Sequence, residues 1–166
     1  MAFEPLVSIL MGSESDRPPM GAASETLKEF SIPHELVVSS AHRSAAETRA
    51  YIAGAEERGV RIFICGAGMS AALPGSVAAE TTLPVLGVPL GGSALSGVDA
   101  LYAIVQMPGG IPVGATAIGK AGAKNAAILA VQILALSDPR LADRLIEYRK
   151  GLSVPAKIEE IAEKSE

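Results

Sequence analysis

One imidazole and one guanidinium, adjacent in the run Ser39-Ser40-Ala41-His42-Arg43-Ser44, set the chemistry this chain can offer. Histidine is the side chain suited to donate and accept a proton near neutral pH. The planar fork of Arg43 suits a phosphate or a carboxylate. A second run, Gly12-Ser13-Glu14-Ser15-Asp16, adds a glycine for close backbone approach, hydroxyls on Ser13 and Ser15, and free amides where a helix begins. Hydrogen bonding and the helix dipole both favour a phosphate there. Asp16 would repel that phosphate, which leaves a sugar hydroxyl pair as its partner. Plainer roles compete: Ser15 and Asp16 as helix caps, and His42 as a solvated loop residue.

A third run, Gly66-Ala67-Gly68-Met69-Ser70-Ala71, matches G-x-G-x-x-A in form. It follows a third strand rather than opening the fold, and no acidic residue ends the next strand to hold a ribose, so dinucleotide binding is a weak reading. The glycines, Gly66 and Gly68, instead let the backbone approach a flat ligand, with amides facing its carboxylate; the alternative is a tight turn needing positive backbone angles. Pro89 to Gly97 forms a small-residue loop that can complete or cover such a site, and Asp99 beyond it reads as an N-terminal helix charge. One cysteine and two separated histidines, His34 and His42, cannot assemble the usual metal ligand sets, so no metal site is expected. No G-x-S-x-G elbow is present for a serine hydrolase.

These loops need elements to hold them. Strands are predicted at Leu6–Met11, Glu35–Ser39, Arg61–Cys65, Val85–Val88 and Val113–Ala117. Helices are predicted at Pro18–Phe30, Ala45–Arg58, Leu73–Glu80, Gly97–Gln106 and Ala123–Leu136. A last helix starts with Asp138 as N-cap and Pro139 at its first position. Strands alternating with helices imply right-handed crossovers and a parallel sheet. The fold class expected is α/β: a three-layer, flavodoxin-like parallel five-stranded sheet with helices on both faces and a C-terminal helix. In such sheets ligands bind beyond the carboxyl ends of the strands. Strands 1 and 2 are neighbours in that topology, so Ser13, Asp16, His42 and Arg43 converge on one pocket. His34 lies at the opposite edge and reads as structural.

The 166 residues suit one domain, 1–166, with a charged tail from about residue 152. A net charge of −4 argues against a nucleic-acid groove. No secretory signal is visible, and the single Cys65 fits a reducing cytoplasm. Between Arg61 and Lys120 the only charges are Glu80 and Asp99. Gly and Pro break this region every few residues, unlike a membrane span. Burial between subunits is the better account, so a homo-oligomer is expected. The near-uniformly apolar helix Ala123–Leu136 points the same way.

Taken in order, Gly12-Ser13-Glu14-Ser15-Asp16, Ser40-Ala41-His42-Arg43, Gly66-Ala67-Gly68, Leu73-Pro74-Gly75, Ala94-Leu95-Ser96-Gly97 and Ile104-Val105-Gln106-Met107-Pro108 resemble the 5-(carboxyamino)imidazole ribonucleotide mutases of purine synthesis, the PurE family. The resemblance runs from about Leu6 to Tyr148. It implies an octamer of flavodoxin-like subunits, and an isomerase that needs neither metal nor cofactor. The substrate's carboxylate leaves the exocyclic nitrogen as carbon dioxide and is added to ring carbon 4. By the same resemblance His42 shuttles the proton, Ser13 and Arg43 hold the phosphate, and Asp16 holds the ribose. Gly12, Ser15, Ser40, Ala41, Ala67 and Gly68 complete the substrate site. A branch that carboxylates aminoimidazole ribonucleotide directly typically carries Lys after Ala-His, so Arg43 favours the mutase. Ala72, where many relatives carry histidine, and Gly91-Gly92 depart from the family pattern near the expected base pocket.

Overall fold

The structure is a computed structural model that describes residues 4–154 and residue 156. Five strands form one wholly parallel sheet in the order β2-β1-β3-β4-β5: β1 Val7–Met11, β2 His34–Val38, β3 Ile62–Gly68, β4 Val85–Leu90 and β5 Gly114–Ala115. The helices are α1 Arg17–Glu29, α2 Ala45–Glu57, α3 Ala72–Ala78, α4 Val98–Val105, α5 Gly119–Ala135 and α6 Pro139–Gly151.

Side-chain alternation along the strands explains the layers. Val7, Ile9 and Met11 of β1 point to one face, with Ile62 and Ile64 of β3 and Leu86 and Val88 of β4. There they meet Met20, Ala23 and Leu27 of α1, the alanine stripe of α5, and Leu141 and Leu145 of α6. Leu10, Phe63, Cys65 and Ala67 point the other way, against Ile52 of α2, Leu73 and Val77 of α3, and Ile104 of α4. Central strands buried on both faces read as continuous apolar runs, as parallel sheets require.

The α5 stripe repeats at Ala123, Ala126, Ala127, Ala130 and Val131, and small side chains let α1 and β4 come close. Not every face of α5 is covered within the chain. Leu129 is partly exposed, and Leu136 just past the helix end is 88% exposed.

A half-buried polar cluster links the far layer. Tyr51 of α2 donates to Glu35 of β2 and lies against the Ser8 hydroxyl, while Arg58 reaches Glu35 at 2.8 Å. Burial and the Glu35 carboxylate together push the Tyr51 phenol far up, so it stays protonated and serves as a donor.

The element order agrees with the sequence reading, with shifted bounds. Strand β5 is far shorter than the predicted Val113–Ala117. Pro112 has no N–H to extend the ladder backwards. Thr116 makes the ladder's last bond, its N–H donating to the Gly87 carbonyl at 3.0 Å. The chain then turns, and the Thr116 hydroxyl donates to the Gly122 carbonyl at the head of α5, at 3.1 Å. Strand β4 instead runs to Leu90, pairing Gly68 of β3. Helix α5 starts at Gly119, earlier than predicted. Helix α6 follows its signal closely, since the Asp138 carboxylate accepts from Arg140 N at 3.0 Å and Pro139 opens the helix. Most of the charged tail expected from about residue 152 lies outside the described residues.

Candidate active site

The carboxyl ends of β1, β2, β3 and β4 open into a cavity of about 480 Å³. It is lined by every residue the sequence reading assigned to a substrate site: Gly12, Ser13, Ser15, Asp16, Ser40, Ala41, His42, Arg43, Ala67 and Gly68. The strand order explains the convergence, because β2 and β3 flank β1 and all three loops leave the same edge.

The first loop is a single 3₁₀ turn, Glu14–Asp16, leading into α1. Ser13 caps it: its hydroxyl oxygen accepts from Ser15 N at 3.3 Å and from the Ser15 hydroxyl at 3.0 Å. Asp16 occupies the N-cap position of α1 but makes no side-chain capping bond, so the capping role weighed from sequence falls to Ser13. Glu14 is turned away in a bidentate pair with Arg17, at 2.6 and 2.8 Å. That leaves Asp16 as the carboxylate of this loop in the cavity.

Burial raises the Asp16 carboxyl above its ordinary value of 3.8, and the N–H groups of Ser13 and Gly12 partly offset it. The folded chain therefore binds this proton more tightly than the unfolded chain does. Its contribution to stability is full below about pH 3.8 and is lost as pH rises through the raised value. Asp16→Asn is thus expected to raise the urea unfolding midpoint at pH 7, with the gain gone at pH 3. Circular dichroism at the two pH values checks this.

The second loop brings His42 and Arg43. Arg43 is fixed by three contacts: Nη2 donates to the Gly12 carbonyl at 3.2 Å, Nε donates to the Ser40 hydroxyl at 3.3 Å, and the same hydroxyl accepts from Arg43 N at 3.3 Å. The guanidinium is thereby tied to the first loop, 31 residues back in sequence. His42 is exposed at the cavity rim, with its ring free to reach a ligand. The other histidine does lie at the opposite edge. Its Nδ1 meets the Ile32 carbonyl and its Nε2 the Ser24 hydroxyl, both at 2.8 Å, so the ring is spent on holding α1 to β2.

The third and fourth loops form a wall of small residues: Ala67, Gly68, Ala71, Ala72, Gly91 and Gly92. Met69 and Ala71 are held at φ 55° and 39°, angles that cost a non-glycine residue about 1 kcal/mol. Loop 91–97 is closed at its base by Gly97, at φ 91°. A Cβ there would lie 3.2 Å from the Leu90 carbonyl oxygen. Within the loop Ser93 donates to Asp99 at 2.9 Å, which gives that carboxylate a second role beside the first turn of α4. Met69 and Ser70 also line the cavity and were not singled out from sequence. Their types carry no chemical signal, and only the loop path puts them there. Cys65 is fully buried beneath, and burial raises its thiol so far that it is inert packing. Among the described residues no cluster of three His, Cys, Asp or Glu could hold a metal. No described helix is long and apolar enough to cross a membrane.

Known proteins share this arrangement along nearly the full chain. A family model described as AIR carboxylase matches residues 6–154. A Synechocystis protein named N5-carboxyaminoimidazole ribonucleotide mutase is 54% identical, over 89% of this chain and 83% of its own length. The mutase of that name from Escherichia coli K12 is 54% identical over 87% of this chain and 86% of its own. The Pyrococcus horikoshii mutase is 47% identical over 98% and 90%. Among solved structures, PurE of Treponema denticola superimposes with a TM-score of 0.81 at 32% identity, covering 89% of this chain and 91% of that one. With fold, loop order and length all in agreement, the chain belongs to the AIR carboxylase family.

Proposed function

We infer that the chain is an isomerase of purine biosynthesis, converting N5-carboxyaminoimidazole ribonucleotide to 4-carboxy-5-aminoimidazole ribonucleotide. One observation carries this reading: an identity of about half, over nearly the whole length, to proteins named for that mutase. Convergence of the imidazole and the hydroxyl- and amide-rich loop on one cavity supports it.

Ser13, Ser15 and the first-turn amides cradle the substrate phosphate, with Arg43 neutralising its charge. Asp16 accepts from the ribose hydroxyls. Ser40 and the backbone at Gly12 and Ala41 hold this end of the site in shape. The base lies against Ala67 and Gly68, whose lack of bulk lets amides approach the carboxylate.

His42 then does two opposite jobs. It gives a proton to the exocyclic nitrogen as the carbon–nitrogen bond to the carboxylate breaks, which releases carbon dioxide. Ring carbon 4 attacks that carbon dioxide, and His42 takes the proton carbon 4 loses. One proton is given and one recovered, so the cycle balances with no external acid, base or cofactor. A wall of alanines and glycines offers carbon dioxide no competing nucleophile while it is held.

The exposed rim at His42 and the uncovered apolar residues support assembly into a homo-octamer. On one face of α4, Val98, Tyr102 and Val105 are 45%, 62% and 54% exposed, a row at helical spacing that a lone subunit leaves in water. Tyr102→Asp is expected to break the octamer into smaller species in sedimentation velocity. A cytoplasmic setting, with no nucleic acid or membrane as partner, completes the reading.

The decisive test follows the purified protein with N5-carboxyaminoimidazole ribonucleotide, and separately with aminoimidazole ribonucleotide plus bicarbonate. Turnover of the first alone is expected. Turnover of only the second would replace the mutase by a carboxylase. Arg43→Ala is expected to raise KM about 10- to 100-fold, the loss of a charge-assisted contact worth about 1.5–3 kcal/mol. Steady-state kinetics read it directly.

A further inference from the structure

A cavity of about 810 Å³ has no part in the reaction above. It opens at the amino edge of the sheet, where β1, β2 and β3 begin, between the end of α1 and the start of α6. At about 3.3 Å per residue, the five residues of β1 put roughly 15 Å between it and the candidate active site.

Its charge is the reverse of the chain's. The protein carries a net −4, yet this cavity gathers three guanidinium groups, Arg61, Arg140 and Arg144, against the single carboxylate of Asp138. That carboxylate is already engaged, since it caps α6 at Arg140 N and lies 3.5 Å from Arg140 Nε. Arg144 is immobilised without a counter-ion among the described residues. Its Nη1 and Nη2 donate to the carbonyls of Phe30 and Glu29, at 2.7 and 2.6 Å, and its guanidinium stacks 5.7 Å from the Phe30 ring centroid. Arg61 forms no ion pair among the described residues. Beneath the charges the walls are apolar, formed by Leu6, Ile32, Ile133, Leu134 and Leu141.

Three guanidinium groups against one carboxylate at the mouth of an apolar cleft of ligand size suit an anion with a flat apolar body. We propose that this cleft is a second, non-catalytic site for a phosphorylated small molecule of nucleoside monophosphate size. Arg61 and Arg140 hold its phosphate. Arg144, fixed by α1, adds field rather than a flexible contact, and the apolar walls take the base. The site is independent of the mutase reading, because it shares no residue with the active-site cavity.

The test is calorimetric titration of the intact protein with adenosine 5′-monophosphate while the active site is saturated with 4-carboxy-5-aminoimidazole ribonucleotide. One binding event per chain is expected. The double variant Arg61→Ala, Arg140→Ala is expected to weaken it at least tenfold, with turnover and thermal midpoint unchanged because both side chains are exposed. Arg144 is left intact, since it also anchors α6 to α1. Pyrophosphate is expected to bind at least tenfold more weakly than the nucleotide; equal binding would overturn the nucleotide assignment. Absence of binding, loss of binding when the active site is filled, or an unchanged affinity in the double variant would each overturn the site itself.

Discussion

His42→Asn is expected to lower kcat by about 10²- to 10⁴-fold, the range that a positioned acid–base group contributes. Asparagine keeps much of the shape and a hydrogen bond but cannot carry the proton between nitrogen and carbon 4. The loss should fall on kcat and leave KM within a few-fold, because Ser13, Ser15, Asp16 and Arg43, which carry the proposed phosphate and ribose contacts, are all kept. His42 is exposed, so the unfolding midpoint should stay where it is. Single-turnover kinetics in deuterium oxide provide a second check. In the proposed shuttle the proton recovered from carbon 4 passes through His42, so its solvent isotope effect should vanish with the imidazole. A variant as active as the wild type would remove the shuttle.

Gly122→Ala is expected to cost roughly 3 kcal/mol, a large share of the about 5–15 kcal/mol by which domains are stable. Glycine 122 lies in the first turns of α5, where the chain has just left β5. A Cβ there would overlap the Ala117 carbonyl oxygen and lie 2.5 Å from the carbon behind it. Both are backbone atoms, so no rotamer change relieves the clash. Relief would require moving the turn that Thr116 fastens to Gly87 and to Gly122 itself, at 3.2 and 3.1 Å. Urea unfolding read by circular dichroism measures the loss. The active-site loops are at other strand ends, so the fraction that remains folded should turn over substrate normally.

Much of this molecule is written in local pattern. Alternating strand and helix signals, Asp138-Pro139 at the head of α6, and glycine-rich turns at strand ends place every element in order. The residues that line the candidate cavity were legible for a related reason. A parallel sheet sends its functional loops to one edge, so knowing the strands nominates the loops. What stayed hidden depends on distant partners. Strand β5 ends where the Thr116 hydroxyl bridges the Gly87 and Gly122 carbonyls, a link between β4 and α5 that local pattern does not encode. Ser13 rather than Asp16 caps because Ser13 is extended, at φ −155° and ψ 155°, while Asp16 is already helical, at φ −84° and ψ −11°, a difference that sequence spacing does not encode. Met69 and Ser70 reach the cavity through a left-handed backbone step at a residue type that gives no hint of it.

The layer holding α1 has an outcome for the chain as it is being made. Met20, Ala23 and Leu27 are covered by α5, and Arg144 of α6 ties off the carbonyl end of α1. From Glu29 to Gly119 is about 90 residues, roughly 5 to 18 seconds of translation at about 5–20 residues per second. Throughout that interval the side of this oily strip that faces α5 lacks its cover, although β1 and then β3 are made to back the other side. Ribosome-bound chaperones and neighbouring polysomal copies would meet α1 before its own covering helix exists.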